Sequence, residues 1–125
     1  MAARRILVVD DCVDTVELVS ELLALCGHAC KGVSTGSAAI AAALGFSPEI
    51  VLLDLGLPDL SGFEVARELR AACPDGIYLA AMTGFEGERY RTLIREWGFD
   101  CYMRKPVKRA TLCSIVQQAR PVVYS

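Results

Sequence analysis

Four apolar runs along the chain each stop on polar chemistry. Ile6-Leu7-Val8-Val9 precedes Asp10-Asp11, and Ile50-Val51-Leu52-Leu53 precedes Asp54. Leu79-Ala80-Ala81-Met82 precedes Thr83, and Cys101-Tyr102-Met103 lies one residue before Arg104-Lys105. Short runs without polar alternation fit strands covered on both faces, as in parallel sheets. A further strand is expected around Ala29 to Val33, and the last is expected near Phe99 to Met103.

The segments between them read as helices. Asp14-Thr15-Val16-Glu17 has the form of a capping box. Val16, Val19, Leu22, Leu23 and Cys26 then recur at helical spacing, and Gly27 suits a left-handed stop. An alanine-rich helix is expected near Ser37 to Leu44, closed by Ser47-Pro48. A third, near Phe63 to Ala72, turns Glu64, Arg67, Glu68 and Arg70 to water. Pro74-Asp75-Gly76 leads into the fourth strand. Tyr90, Leu93, Ile94 and Trp97 form a core stripe on a fourth helix, and a last helix is expected from about Lys108 to Ala119. The order βαβαβαβαβα, with right-handed crossovers, folds into a parallel sheet carrying helices on both faces.

With 125 residues the chain fits one domain, spanning 1–125. A net charge of -2 gives no basic footprint for nucleic acid. No apolar stretch approaches the roughly 20 residues of a membrane span. Met-Ala-Ala-Arg-Arg runs straight into the first strand, leaving no room for a cleavable signal, so a cytoplasmic protein is expected. The six cysteines are then expected to be reduced and mostly buried. Cys26-Gly27-His28-Ala29-Cys30 lacks the fourth ligand of a structural zinc site. The plainer expectation is a helix end, an exposed His28 and a strand cysteine.

In a parallel α/β sheet the carboxyl ends of the strands share one edge, where ligands bind. Asp10, Asp11 and Asp54 repel one another there, and a hard divalent cation resolves the conflict. An all-oxygen donor set favours Mg²⁺ or Mn²⁺ over zinc or copper. A carboxylate also serves as nucleophile toward phosphorus, and Asp54 stands alone facing the acid pair. Phosphoryl transfer asks chiefly for positive charge and positioning. Lys105 offers the charge and Thr83 a hydroxyl donor. Taken singly, Thr83 reads as a helix cap and Lys105 as a solvated charge; their joint placement favours the site.

Val8-Val9-Asp10-Asp11, Leu52-Leu53-Asp54-Leu55-Gly56-Leu57-Pro58, Met82-Thr83-Gly84 and Tyr102-Met103-Arg104-Lys105-Pro106 together resemble the receiver domain of two-component response regulators, over almost the whole chain. The resemblance implies a flavodoxin-like, doubly wound five-stranded sheet of order 2-1-3-4-5. It implies that Asp54 accepts a phosphoryl group from a histidine kinase or histidine phosphotransfer protein. Asp11, Asp54 and the Gly56 carbonyl would hold the metal directly, with Asp10 acting through water. Lys105 would meet the phosphoryl group, beside a cis bond to Pro106. Thr83 and Tyr102 would act as the switch, altering the face built from the fourth helix, fifth strand and last helix.

That face would report to a downstream protein or a neighbouring domain, the chain being a monomer or a weak phosphorylation-dependent dimer. The stretches 54–58 and 62–67 resemble receivers fused to hybrid sensor kinases. Cys12 stands where a polar or acidic residue is common, and Gly84 where alanine is usual. A thiol at Cys12 beside the metal site invites a redox role, although the nearby carboxylates are expected to disfavour its thiolate. Two rival functions are a phosphatase of the haloacid-dehalogenase type and a pseudo-receiver that only binds partners. The first needs Asp-x-Asp, which Asp10-Asp11-Cys12-Val13 lacks; the second has no support in the site residues.

Overall fold

The computed structural model describes residues 3–73, 76–84 and 87–119. Pro74 and Asp75 of the expected turn, and the tail 120–125, lie outside the described residues. The strands are β1 (Arg5–Val9), β2 (Ala29–Val33), β3 (Ile50–Asp54), β4 (Tyr78–Thr83) and β5 (Cys101–Arg104). The helices are α1 (Val13–Leu25), α2 (Gly36–Phe46), α3 (Gly62–Ala72), α4 (Glu88–Glu96) and α5 (Arg109–Gln118). All strand pairs are parallel, in the order β2-β1-β3-β4-β5. This is the flavodoxin-like order, and its direction of winding reverses between β1 and β3.

The unbroken apolar runs are explained by a sheet covered on both sides. Ile6, Leu7, Val8 and Val9 are wholly buried, as are Ile50 to Leu53. Alternate residues divide between two cores. Leu7, Val9, Val51, Leu53, Leu79 and Ala81 face α2, α3 and Ile94 of α4. Ile6, Val8, Ile50, Leu52, Ala80 and Met82 face α1 and α5. β2 is the half-exposed edge strand and carries Lys31, a charge that blunts edge pairing. Among the described residues no helix is long and apolar enough to cross a membrane.

Four local expectations are corrected. Helix α1 starts at Val13 with Cys12 as its N-cap residue, so Asp14 lies inside the first turn and is not the cap. The Cys12 amide donates instead to Asp10 Oδ1 at 2.9 Å. His28 is buried, its Nδ1 accepting from the Arg4 amide at 3.0 Å. Arg70 is not a solvated side chain. It donates to the carbonyls of Ile77 and Gly98, each at 2.6 Å, and pairs with Asp100 at 2.9 Å. The cysteines are free, but Cys12 and Cys26 are exposed and the other four half-buried; all but Cys113 sit at helix ends or on the edge strands.

Trp97 packs against the core as expected, half-buried, as the C-cap residue of α4. It stacks at a tilt on Phe63, with ring centroids 5.7 Å apart, under the Arg67 guanidinium.

Candidate functional site

The carboxyl ends of β1, β3, β4 and β5 deliver Asp10, Asp54, Thr83 and Lys105 to one edge, with Asp11 following β1. Register does this without long loops. Leu53 of β3 lies beside Val9 and Ala81, Asp54 beside Met82, and Thr83 beside Arg104. The Lys105 amide donates to the Thr83 carbonyl at 2.8 Å, extending the ladder one residue past β5. The Lys105–Pro106 peptide bond is cis.

Asp10 is wholly buried, Asp54 nearly so, and Asp11 exposed. One oxygen from each of the three carboxylates can be drawn within 4.8 Å of the other two. Asp10 Oδ2 faces the Lys105 ammonium at 2.6 Å, an ion pair that lacks hydrogen-bond geometry. Asp54 Oδ2 lies 3.4 Å from the same ammonium, and Asp54 Oδ1 accepts from the Gly56 amide at 3.2 Å.

Burial pushes the Asp54 carboxyl up; the Gly56 amide opposes this, the Asp10 charge adds to it, and Lys105 opposes it. Burial acts to lower the Lys105 pKa, but the two carboxylates outweigh it and leave the ammonium above its ordinary value. The site therefore holds more negative charge than its lysine neutralises. Three carboxylate oxygens gathered beside a single ammonium are a donor set that fits a hard divalent cation.

The loop after β3 closes tightly. Gly62 donates its amide to the Leu55 carbonyl at 3.0 Å. A Cβ at Gly62 would come 2.5 Å from the Asp54 carbonyl oxygen, so only glycine fits this close approach. Ser61 caps α3 by accepting from the Glu64 amide. Asp59, in the same loop, crosses to the start of α2. It accepts from the amides of Gly36 at 2.8 Å and Ser37 at 3.1 Å, and from the Ser37 hydroxyl at 2.7 Å. Those donors hold its carboxyl well below the ordinary range.

Thr83 is buried, and Tyr102 on β5 is 37% exposed. Both line a cavity of about 40 Å³ with Tyr90 and Ile94 of α4 and with Arg104. Cys12 departs from expectation. The Thr15 hydroxyl and the Thr15 and Asp14 amides lower its thiol pKa, and the Asp10 charge opposes them only weakly.

The response regulator receiver domain family matches residues 6–117. The chain belongs to that family. The DNA-binding response regulator MtrA of Mycolicibacterium smegmatis is 35% identical over 114 residues, 91% of this receiver and 49% of MtrA. The probable transcriptional regulatory protein TcrX of Mycobacterium tuberculosis is 38% identical over 101 residues, 81% of this chain and 43% of TcrX. The receiver thus spans about half the length of the curated relatives it matches.

Among solved structures, a CheY-like receiver domain from Methylobacillus flagellatus superposes with a TM-score of 0.82 at 30% identity, covering 95% of this chain and 100% of that one. The BeF3-activated DrrB receiver domain gives 0.84 at 27%, covering 94% and 97%. Membership sets residues 6–117 among the signalling receiver domains of response regulators.

Proposed function

We propose that residues 1–125 act as a single receiver unit in which Asp54 accepts a phosphoryl group from a phosphohistidine of a histidine kinase or phosphotransfer protein. One observation carries this reading: the Lys105 ammonium lies between the buried Asp10 and Asp54 carboxylates, 2.6 and 3.4 Å from their oxygens. An Asp54 oxygen bonds to phosphorus as the phosphorus–nitrogen bond breaks, and the freed imidazole takes up a proton. The Gly56 amide holds one Asp54 oxygen and so aims the other. Lys105 balances the charge that arrives, and Thr83 donates to a phosphoryl oxygen.

Asp10, Asp11, Asp54 and the Gly56 carbonyl would hold Mg²⁺ or Mn²⁺, which when bound neutralises the carboxylates and the phosphoryl oxygens. Drawing Thr83 toward the phosphoryl group changes the small cavity it shares with Tyr102. A Tyr102 rotamer change then remodels the α4–β5–α5 face, a local charge event biasing a packed element. That face is read by a downstream protein or by a neighbouring domain such as the DNA-binding relatives carry. A cytoplasmic setting follows from the kinase partner.

Acetyl phosphate with Mg²⁺, followed by intact mass, tests the reading. One phosphoryl adduct is expected on the wild type and none on Asp54→Asn. A stable adduct on Asp54→Asn would show the acceptor to be another residue. An unmodified wild type, beside a control receiver that is labelled, would favour a pseudo-receiver that only binds partners.

A further inference from the structure

The C-terminal end of α1 and the second turn of α5 bring two thiols together that the phosphoryl site does not use. Cys26 Sγ and Cys113 Sγ are 3.8 Å apart, across 87 positions of sequence. Cys26 is exposed and ends α1; Cys113 is half-buried. Both line an apolar groove of about 180 Å³ with Leu22, His28, Leu112 and Val116. Sulfurs at this distance are in van der Waals contact. Closing to the roughly 2.0 Å of a disulfide takes a movement of less than about 2 Å, within reach of side-chain rotation and a small helix shift. The cavity beside them gives the side chains room to turn.

We propose that Cys26 and Cys113 form an oxidisable dithiol site that a peroxide converts to an intramolecular disulfide. One sulfur, as thiolate, bonds to a peroxide oxygen; the oxygen–oxygen bond breaks, and the hydroxide leaves as water after taking a proton. The second sulfur attacks the resulting sulfenic acid. The sulfur–sulfur bond forms, the sulfur–oxygen bond breaks, and a second water leaves with the remaining thiol proton. Hydrogen peroxide is reduced by two electrons and the two thiols are oxidised by two.

Proximity, not acidity, favours this pair. The Cys113 sulfhydryl and burial push the Cys26 thiol up, which slows the first step. The second step outruns further oxidation because the partner sulfur is already in contact. The bond ties α5 to α1. It restrains one margin of the α4–β5–α5 surface, a consequence that rests on the proposed function, whereas the bond itself does not.

The test treats the reduced chain with rising hydrogen peroxide, blocks remaining thiols by alkylation, and reads intact mass, peptide map and Tm. The expected product has lost two hydrogens and yields a Cys26–Cys113 linked peptide pair, reversed by dithiothreitol. Closing so long a loop raises Tm by roughly 5 °C or more over the reduced form. Cys113→Ser is expected to lose both the linked pair and the Tm gain, and Cys12→Ser to keep both. Oxygen addition at Cys26 or Cys113 without linkage would overturn the proposal. So would linkage to another cysteine in comparable yield, or linkage only between two chains. None of these readouts involves phosphorylation, so the two proposals fail separately.

Discussion

Lys105 is the residue on which the charge of the site turns. Its ammonium is the counter-charge to a carboxylate with no exposure to solvent, Asp10, and it also approaches Asp54. Removing one partner of a buried pair leaves the other uncompensated, at a cost of about 3 kcal/mol. Lys105→Ala is therefore expected to lose roughly that much stability at neutral pH in urea titrations without divalent cation. Millimolar Mg²⁺ is expected to stabilise the variant more than the wild type, because it then supplies the missing charge. Equal stabilisation of both would mean that the lysine does not screen the acid cluster.

The strand-end residues were legible from sequence because each apolar run stops at, or one residue before, the end of its strand. His28 and Arg70 were not. Their roles depend on the Arg4 amide and on the carbonyls of Ile77 and Gly98, which no local pattern announces. Cys12 was misread in direction, since the hydrogen-bond donors at the start of α1 outweigh the Asp10 charge.

Among the elements, the starts of β1, β3 and β4 follow the apolar runs closely, and α5 differs from expectation by one residue at each end. Helix α1 shows what local signals miss. A capping-box sequence competes with a carboxylate outside the helix, and Asp10 takes the Cys12 amide. The turn from β3 to α3 depends on glycine. Gly62→Ala forces a Cβ against the Asp54 carbonyl oxygen and Leu55 Cα, 2.5 and 2.6 Å away. Overpacking of this kind costs about 1–3 kcal/mol, and the shift falls on the backbone of the acceptor itself. The variant is expected to fold with a lowered urea midpoint and to label more slowly from acetyl phosphate. Unchanged labelling with lowered stability would mean that the shift is absorbed elsewhere.

Arg70 joins α3 to the segment before β4 and to the turn before β5. Its Asp100 partner also accepts from the Leu79 amide at 2.8 Å. Hydrogen bonds to charged groups contribute about 1.5–3 kcal/mol, so Arg70→Ala is expected to cost about 2 kcal/mol. Labelling should stay normal, because none of these contacts reaches the acid cluster. Slower labelling at equal foldedness would tie this clamp to the site.

For the molecule as a whole, the acid cluster sets a pH dependence. The folded Asp54 pKa lies above its unfolded value, chiefly through burial. Its contribution to stability is thus fully present below about pH 3.9, the unfolded value, and is lost as pH rises through the folded pKa. Asp54→Asn removes that loss while Asp10 keeps its lysine. Without divalent cation, the variant is expected to gain on the wild type as pH rises from 4 to 8. Mg²⁺ at a hundredfold excess over its Kd adds about 2.7 kcal/mol to the wild type, and less to the variant. A gap that stays constant with pH would refute the assignment.

Asp59 gives the site one fixed jaw. It holds the loop behind Asp54 to the first amides of α2 through three hydrogen bonds, while a Cβ at Gly84, just after Thr83, would meet nothing within 4 Å. Under the proposed function, a vice with one jaw bolted down moves only the other, so displacement at Asp54 would be directed toward Thr83 and α4. Those same donors hold the Asp59 carboxyl well below the ordinary range. Its contribution to stability is present above the unfolded value and is lost progressively as pH falls toward that depressed one. The loop behind Asp54 is therefore tied to α2 throughout the neutral range.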